Sequence, residues 1–251
     1  VGNPRSAALL ETLGGLRIRA ERDLVVAVTG ARTTAVVETP DELPGAAAVP
    51  AATPWAVRTG QVLSIGQPEH GLRAYLALRG GIDVPPVLGS RSTDVLGRLG
   101  PARLEAGAVL AVGRATEAVG MPEPEPGPPS SGRAATQDRV VLGPRDDEFG
   151  AAGTARLVGQ EWTVSATSNR VGLRLEGAPL VRFVAGEVPS EPMVPGAIQV
   201  PPAGLPVVLF RDHPVTGGYP VIGVVVPEDL DLLAQLAPGD HLRLSVVAPP
   251  D

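Results

Sequence analysis

The chain contains no cysteine and no lysine. The first absence excludes disulfides, a thiolate nucleophile and a Cys-ligated metal. The second makes all 21 basic residues arginine. It excludes a Schiff-base lysine, a P-loop lysine, and biotinylation or acetylation of a side chain in these residues. Arginine stays protonated at any working pH, so histidine is the only basic side chain fit for general-base work. There are three: His70, His213 and His241. Aromatic residues are scarce, at 3%. No uncharged apolar run approaches the ~20 residues of a membrane span, and no basic segment leads into an apolar run as in a signal peptide. A cytoplasmic location without membrane contact is therefore expected. The arginines form no stripe and are interleaved with acids at a net charge of −6, so nucleic acid is not an expected partner. G-x-x-x-x-G-K-[ST], G-x-G-x-x-G after a strand, H-E-x-x-H and G-x-S-x-G are all missing. With three separated histidines and no cysteine, no metal site is expected.

What is present is glycine (31) and proline (28), together nearly a quarter of the 251 residues. Without a collagen period, that composition means either disorder or many short strands with tight turns. Short apolar runs favour strands: Leu24 to Val28, Ala74 to Leu78, Val140 to Leu142, Val207 to Phe210 and Val221 to Val226. Helix signals are fewer. Asn3-Pro4 before Ser6 to Thr12, Asp146-Asp147 before Glu148 to Val158, and Pro227-Glu228-Asp229 before Leu230 to Leu236 predict short helices near 4–12, 147–158 and 228–236. Residues 121–132 read MPEPEPGPPSSG, without apolar periodicity. The expected organisation is a first β unit at 1–116, a Pro-rich linker or loop at 117–138, and a second β unit at 139–251. Three stretches share a glycine turn leading to an apolar residue: Arg58 to Leu63, Glu105 to Leu110 and Ala237 to Leu242. They are either a structural repeat or a turn that any barrel reuses.

Four segments concentrate polar chemistry. Arg79 to Asp94 (RGGIDVPPVLGSRSTD) holds Gly80-Gly81, then Ser90, Arg91, Ser92 and Thr93. It is either an anion cradle or a loop whose arginine ties down backbone carbonyls. Ser165 to Gly177 carries Ser168, Asn169 and Arg170 ahead of an alternating strand, a solvated face or a site. Val194 to Pro202 (VPGAIQVPP) offers Gln199 alone as both donor and acceptor, in a stiff surface turn or a site. Asp212 to Pro220 (DHPVTGGYP) holds His213, Thr216, Gly217, Gly218 and Tyr219. Asp212 and His213 are adjacent, so a carboxylate orienting His213 would come from elsewhere.

Together these segments resemble the allophanate hydrolase subunit 2 family. It is also described as biotin-dependent carboxyltransferase-like or KipA-type, and its bacterial members include the C subunit of the ATP-dependent 5-oxoprolinase complex. The residues that carry the resemblance are Tyr75 to Asp94, Gly143-Pro144-Arg145-Asp146, Ser168-Asn169-Arg170 with Gly172, Val194 to Pro202 and Thr216 to Pro220. The family usually has Asp where Asn169 stands. It also has some tens of residues, with a Gln-Asp-Gly-Arg-like segment, before the point equivalent to Val1, so an upstream segment is expected.

The resemblance implies a mainly β fold of two cyclophilin-like β-barrel units with a few short helices. It implies a subunit 1 or KipI-type partner, and with it a lactam-utilisation subunit. ATP would be used by the complex, with no cofactor bound by this chain and biotin carried only by a partner. The implied chemistry is hydrolysis of a small anionic amide or lactam, 5-oxoproline to glutamate first among the candidates. The alternatives are a carboxyltransferase or allophanate hydrolase-type subunit of urea metabolism, and a KipA-type regulator that antagonises a kinase inhibitor. Under the enzyme reading, Arg91 or Arg170 would hold the substrate carboxylate and His213 would serve as base. The N–H groups of Gly80-Gly81 and Gly217-Gly218 would meet an oxyanion. Arg91, Ser90, Ser92 and Thr93 are expected to share one cleft with Gln199, Thr216 and Gly217-Gly218-Tyr219.

Overall fold

The computed structural model describes residues 1–40, 46–115, 117–119 and 136–249. The chain divides into two compact units, Val1–Pro128 and Pro129–Asp251. All five apolar runs fall in strands, with only the end residues Phe210 and Val226 outside. Most of the expected linker, residues 120–135, is outside the described residues. Its last three residues open a strand instead, because Thr136, Gln137 and Asp138 pair with Leu242, Arg243 and Leu244.

The first unit is built on two long strands. Its elements are β1 (Leu10–Thr12), β2 (Leu16–Arg19), β3 (Leu24–Glu38), β4 (Ala47–Ala48), β5 (Trp55–Val57) and β6 (Val62–Leu78). β3 and β6 pair antiparallel, with register shifts between Gly30 and Ala35. Those shifts set the core. Buried positions are even at one end (Val26, Val28, Ala74, Leu76, Leu78) and odd at the other (Ala35, Val37, Leu63, Ile65). Each bulge residue reverses the facing of everything beyond it, so one ribbon curls and keeps its apolar side inward. β1 and β2 flank the two ends of β6, and β5 and β4 the two ends of β3.

No helix forms at residues 4–12. Pro4 to Ala7 make one turn, closed by Ala7 N–H to the Pro4 carbonyl at 2.9 Å. The expected cap residue is engaged elsewhere: Asn3 donates to the Leu78 carbonyl at 2.7 Å and accepts from Gly80 N–H at 2.8 Å. Leu10 to Thr12 then pair with Leu76, Tyr75 and Ala74. Sheet pairing overrides a weak local signal.

The second unit is a closed barrel. It runs β7 (Thr136–Leu142), a 3-10 turn at Asp146–Glu148, α1 (Gly150–Gly159), β8 (Trp162–Val164), β9 (Gly172–Glu176), β10 (Glu191–Pro192), β11 (Ala197–Gln199), β12 (Val207–Leu209), β13 (Thr216–Gly217), β14 (Val221–Val225), α2 (Pro227–Leu233) and β15 (His241–Val246). Around the barrel the order is β11-β12-β9-β8-β15-β7-β14, and β14 closes on β11. Only β15–β7 is a parallel pair among them. Phe149, Leu157 of α1, Trp162, Ile198, Ile222, Leu233 of α2 and Leu242 form one buried cluster, so both helices pack on the barrel. Trp162 satisfies its indole N–H on the Leu157 carbonyl at 2.8 Å. Pro227 sits at the start of α2, where its missing N–H costs nothing. No helix among the described residues is long and apolar enough to cross a membrane.

The three glycine turns are one conformation. Gly60, Gly107 and Gly239 have φ of +85°, +86° and +89°, and each turn closes between residues three apart. A Cβ at any of the three would meet nothing within 4 Å. Glycine is there for the positive φ of a type II turn, not for space. Strands follow the first and third; residues 108–110 form none. The shared feature is the turn, not a repeated unit.

Candidate functional site

The polar residues of the second unit gather around a two-stranded ribbon and the barrel strand beside it. In the ribbon, Glu191 of β10 pairs with Gly217 of β13, and Pro192 with Thr216. The Met193 N–H continues it onto the Val215 carbonyl at 2.9 Å. Gln199 ends β11, at a bulge against β14. The segment around it is no surface turn, because Ala197 through Val200 are all buried. Gln199 is 7% exposed. Its Nε2 donates to Met193 Sδ at 3.3 Å and to the Tyr219 carbonyl at 3.4 Å. Both neighbours are acceptors, which fixes the amide with its nitrogen toward the ribbon.

Gly217 is glycine for space. A Cβ there would overlap Gln199 Nε2 and crowd Met193 Sδ at 3.2 Å. Gly218 is different: the nearest atom to a Cβ is the Val188 carbonyl at 3.5 Å, an ordinary contact. The Gly218 N–H makes no hydrogen bond among the described residues. Thr216, Gly218 and Tyr219 are exposed.

His213 Nδ1 lies 2.8 Å from the Pro214 carbonyl. A carbonyl only accepts, so the neutral ring carries its proton on Nδ1 and leaves the Nε2 lone pair outward. Asp212 does not serve it. Its Oδ2 lies 3.0 Å from Arg170 Nε. That pair and the Phe210 N–H to Val171 carbonyl bond (2.9 Å) tie the 165–172 loop to the start of the His213 loop. Asn169 accepts the N–H groups of Val171 (2.9 Å) and Gly172 (3.2 Å), so the side chain itself shapes the turn. Ser168 Oγ accepts Arg174 N–H at 3.0 Å.

The first unit holds the remaining candidates. Gly80 and Gly81 have positive φ, but their N–H groups are taken: Gly80 by Asn3 Oδ1 at 2.8 Å and Gly81 by the Leu78 carbonyl at 2.8 Å. They are not oxyanion donors. Arg91 donates from Nε to the Ser6 carbonyl at 3.2 Å and from Nη1 to the Val84 carbonyl. It therefore anchors its loop, with Nη2 free of hydrogen bonds among the described residues. Ser90 Oγ accepts Ser92 N–H at 3.1 Å. Ser90 and Ser92 are exposed and Thr93 half-buried.

A charged chain in the second unit escapes sequence reasoning. Glu148, 7% exposed, takes Arg145 Nη1 at 3.4 Å and Arg182 Nε at 2.5 Å. Arg145 also bonds Glu191 on the ribbon. That bond holds the Glu191 carboxyl below its ordinary range and raises the Arg145 guanidinium. Of its residues the sequence marks Arg145 as part of a family-like segment and Glu148 only as the start of a helix.

The family model described as carboxyltransferase domain, subdomain A and B, matches residues 1–246. The chain belongs to that family. This family member is 37% identical over 253 residues to the C subunit of 5-oxoprolinase from Escherichia coli, covering 97% of the chain and 76% of that protein. It is 33% identical to urea amidolyase of Lachancea kluyveri, across 97% of the chain but 14% of that protein. Among solved structures, TTHA0988 superposes with a TM-score of 0.80 at 34% identity, covering 97% of the chain. The chain spans about half (47%) of that molecule's length. The K. lactis urea amidolyase superposes with a TM-score of 0.84 at 29% identity, covering 99% of the chain and 16% of the larger protein.

Proposed function

We propose that the chain is a subunit of an ATP-dependent complex that hydrolyses a small amide, with 5-oxoproline opened to glutamate as the leading reaction. The observation that carries this reading is the 37% identity to a 5-oxoprolinase component along 97% of the chain and 76% of the relative.

In this reading water adds to the lactam carbonyl, the C–N bond breaks, and the nitrogen leaves as an amine after taking a proton. His213 Nε2 is the base for the water, supported by the tautomer its Pro214 contact imposes. The Gly218 N–H is the donor for the developing oxyanion. Within the first unit, Arg91, with Nη2 to spare and flanked by Ser90, Ser92 and Thr93, is the candidate for holding a carboxylate. Arg170 is the weaker choice for that role, because Asp212 already neutralises it. ATP would be handled by partners, a subunit 1 homologue and a lactam-utilisation protein, since the sequence carries no nucleotide motif.

The match to the carboxyltransferase family model favours a second reading, carboxyl transfer. With no lysine in these residues, biotin would reach the site on a partner. Co-expression with a subunit 1 homologue followed by size-exclusion chromatography tests the shared requirement. Co-elution is expected at micromolar concentration, and separate elution would count against membership of such a complex.

A further inference from the structure

Gln199 is more than nine-tenths buried, and one of its two amide atoms is unused. Nε2 points to Met193 Sδ and the Tyr219 carbonyl, two acceptors, so the amide cannot be turned over without losing both contacts. Oε1 faces away from them and has no hydrogen-bond partner among the described residues. No fully buried side-chain nitrogen or oxygen there lacks a partner, so Oε1 opens to the surface. A carbonyl oxygen held at the end of a buried strand, with its orientation fixed, can do one thing: accept a proton donor from outside. Gly217 leaves the space in which the amide sits.

We propose that Gln199 Oε1 reads the N–H of a substrate amide. This rests on the amide-hydrolysing reading above and narrows it. A fixed acceptor matches the N–H of a lactam or a urea-type amide. A tertiary amide, whose nitrogen carries no hydrogen, is rejected, because Oε1 would face an alkyl group and be desolvated without a partner. Gln199 is thus a specificity residue, while bond breaking falls to other groups.

The test uses 2-pyrrolidinone, which has the N–H, and N-methyl-2-pyrrolidinone, which lacks it. Each is titrated into the full 251-residue chain labelled with 15N, and the side-chain amide of Gln199 is followed by NMR. The Gln199→Met spectrum identifies that signal by its loss. Saturable movement with 2-pyrrolidinone and none with the N-methyl compound is expected, as is weakening of 2-pyrrolidinone binding by tenfold or more in Gln199→Met. Equal movement with both compounds, or with neither, overturns the assignment, and the two titrations need no variant. In the assembled complex, Gln199→Met should raise KM for 5-oxoproline about tenfold and change kcat less. A wild-type complex that ignores 5-oxoproline would refute the substrate reading alone, and the titrations would still decide the role of Gln199.

Discussion

The amide nitrogen of Gln199 fills the space in which a side chain on residue 217 would begin. Gly217→Ala must therefore push Gln199 or Met193 aside. Overpacking of this kind costs about 1–3 kcal/mol. Gly218→Ala meets only an ordinary contact and has no positive φ to strain, so its effect should stay within about 0.5 kcal/mol. Urea unfolding of both variants checks the difference. Equal destabilisation would mean that the ribbon yields and does not press on Gln199.

Glu148 anchors two guanidinia from a nearly buried position. Glu148→Gln leaves Arg145 and Arg182 without their shared counter-charge. The expected loss is about 2–4 kcal/mol, below the top of the range for buried pairs because both arginines are partly solvated. Hydrogen exchange should rise in residues 182–186, since Arg182 also holds the Gly186 carbonyl at 2.6 Å. Unchanged exchange there would make the network ornamental.

The strands are legible because short apolar runs, four of the five rich in β-branched residues, need no tertiary information, and each falls in a strand apart from the end residues Phe210 and Val226. The helix signal at 4–12 misleads because Asn3 looks like a cap only while its partners, Leu78 and Gly80, are far away in sequence. The Glu148 network is invisible for the same reason. Its arginine at 182 is 34 residues away and the Arg145 to Glu191 step spans 46. No spacing rule covers such distances. The polar loops are recognisable as special, but only their hydrogen bonds separate anchors from candidates. Gly80 spends its N–H on the distant Asn3 side chain, and Gly81 and Asn169 use their polar groups on nearby backbone, whereas Gly218, His213 and Gln199 each keep one polar group unengaged.

Asp229 accepts Arg139 three times, from the backbone N–H at 2.8 Å, Nε at 3.1 Å and Nη2 at 2.7 Å. The Arg139 hydrogen bonds outweigh burial and hold its carboxyl below the ordinary range. A carboxyl with a lowered folded pKa stabilises above its unfolded value, about 4, and loses that contribution as pH falls through the folded value. Asp229→Asn should cost about 1–3 kcal/mol at pH 7. The gap between wild type and variant should narrow below about pH 4. Thermal melts from pH 7 to pH 3 measure it, and a gap that widens with acid would reverse the assignment.

Arg91 holds the Ser6 and Val84 carbonyls as a fork. Arg91→Ala should speed amide exchange in residues 84–92 at least tenfold while leaving the barrel unit unchanged. Arg91→Lys should restore little, since an ammonium cannot span both carbonyls in that geometry. Full protection in Arg91→Lys would show that charge alone anchors the loop. Loss of turnover in Arg91→Ala is also expected if the same guanidinium receives the substrate carboxylate.

The most direct measurement of the central claim is reconstitution. The chain, a subunit 1 homologue and a lactam-utilisation protein from the same genome are mixed with ATP and 5-oxoproline, and glutamate and ADP are quantified. Glutamate should form only when all three proteins are present, with ADP released in step. Glutamate formed equally well without this chain, or no glutamate from a complex that assembles, would contradict the account.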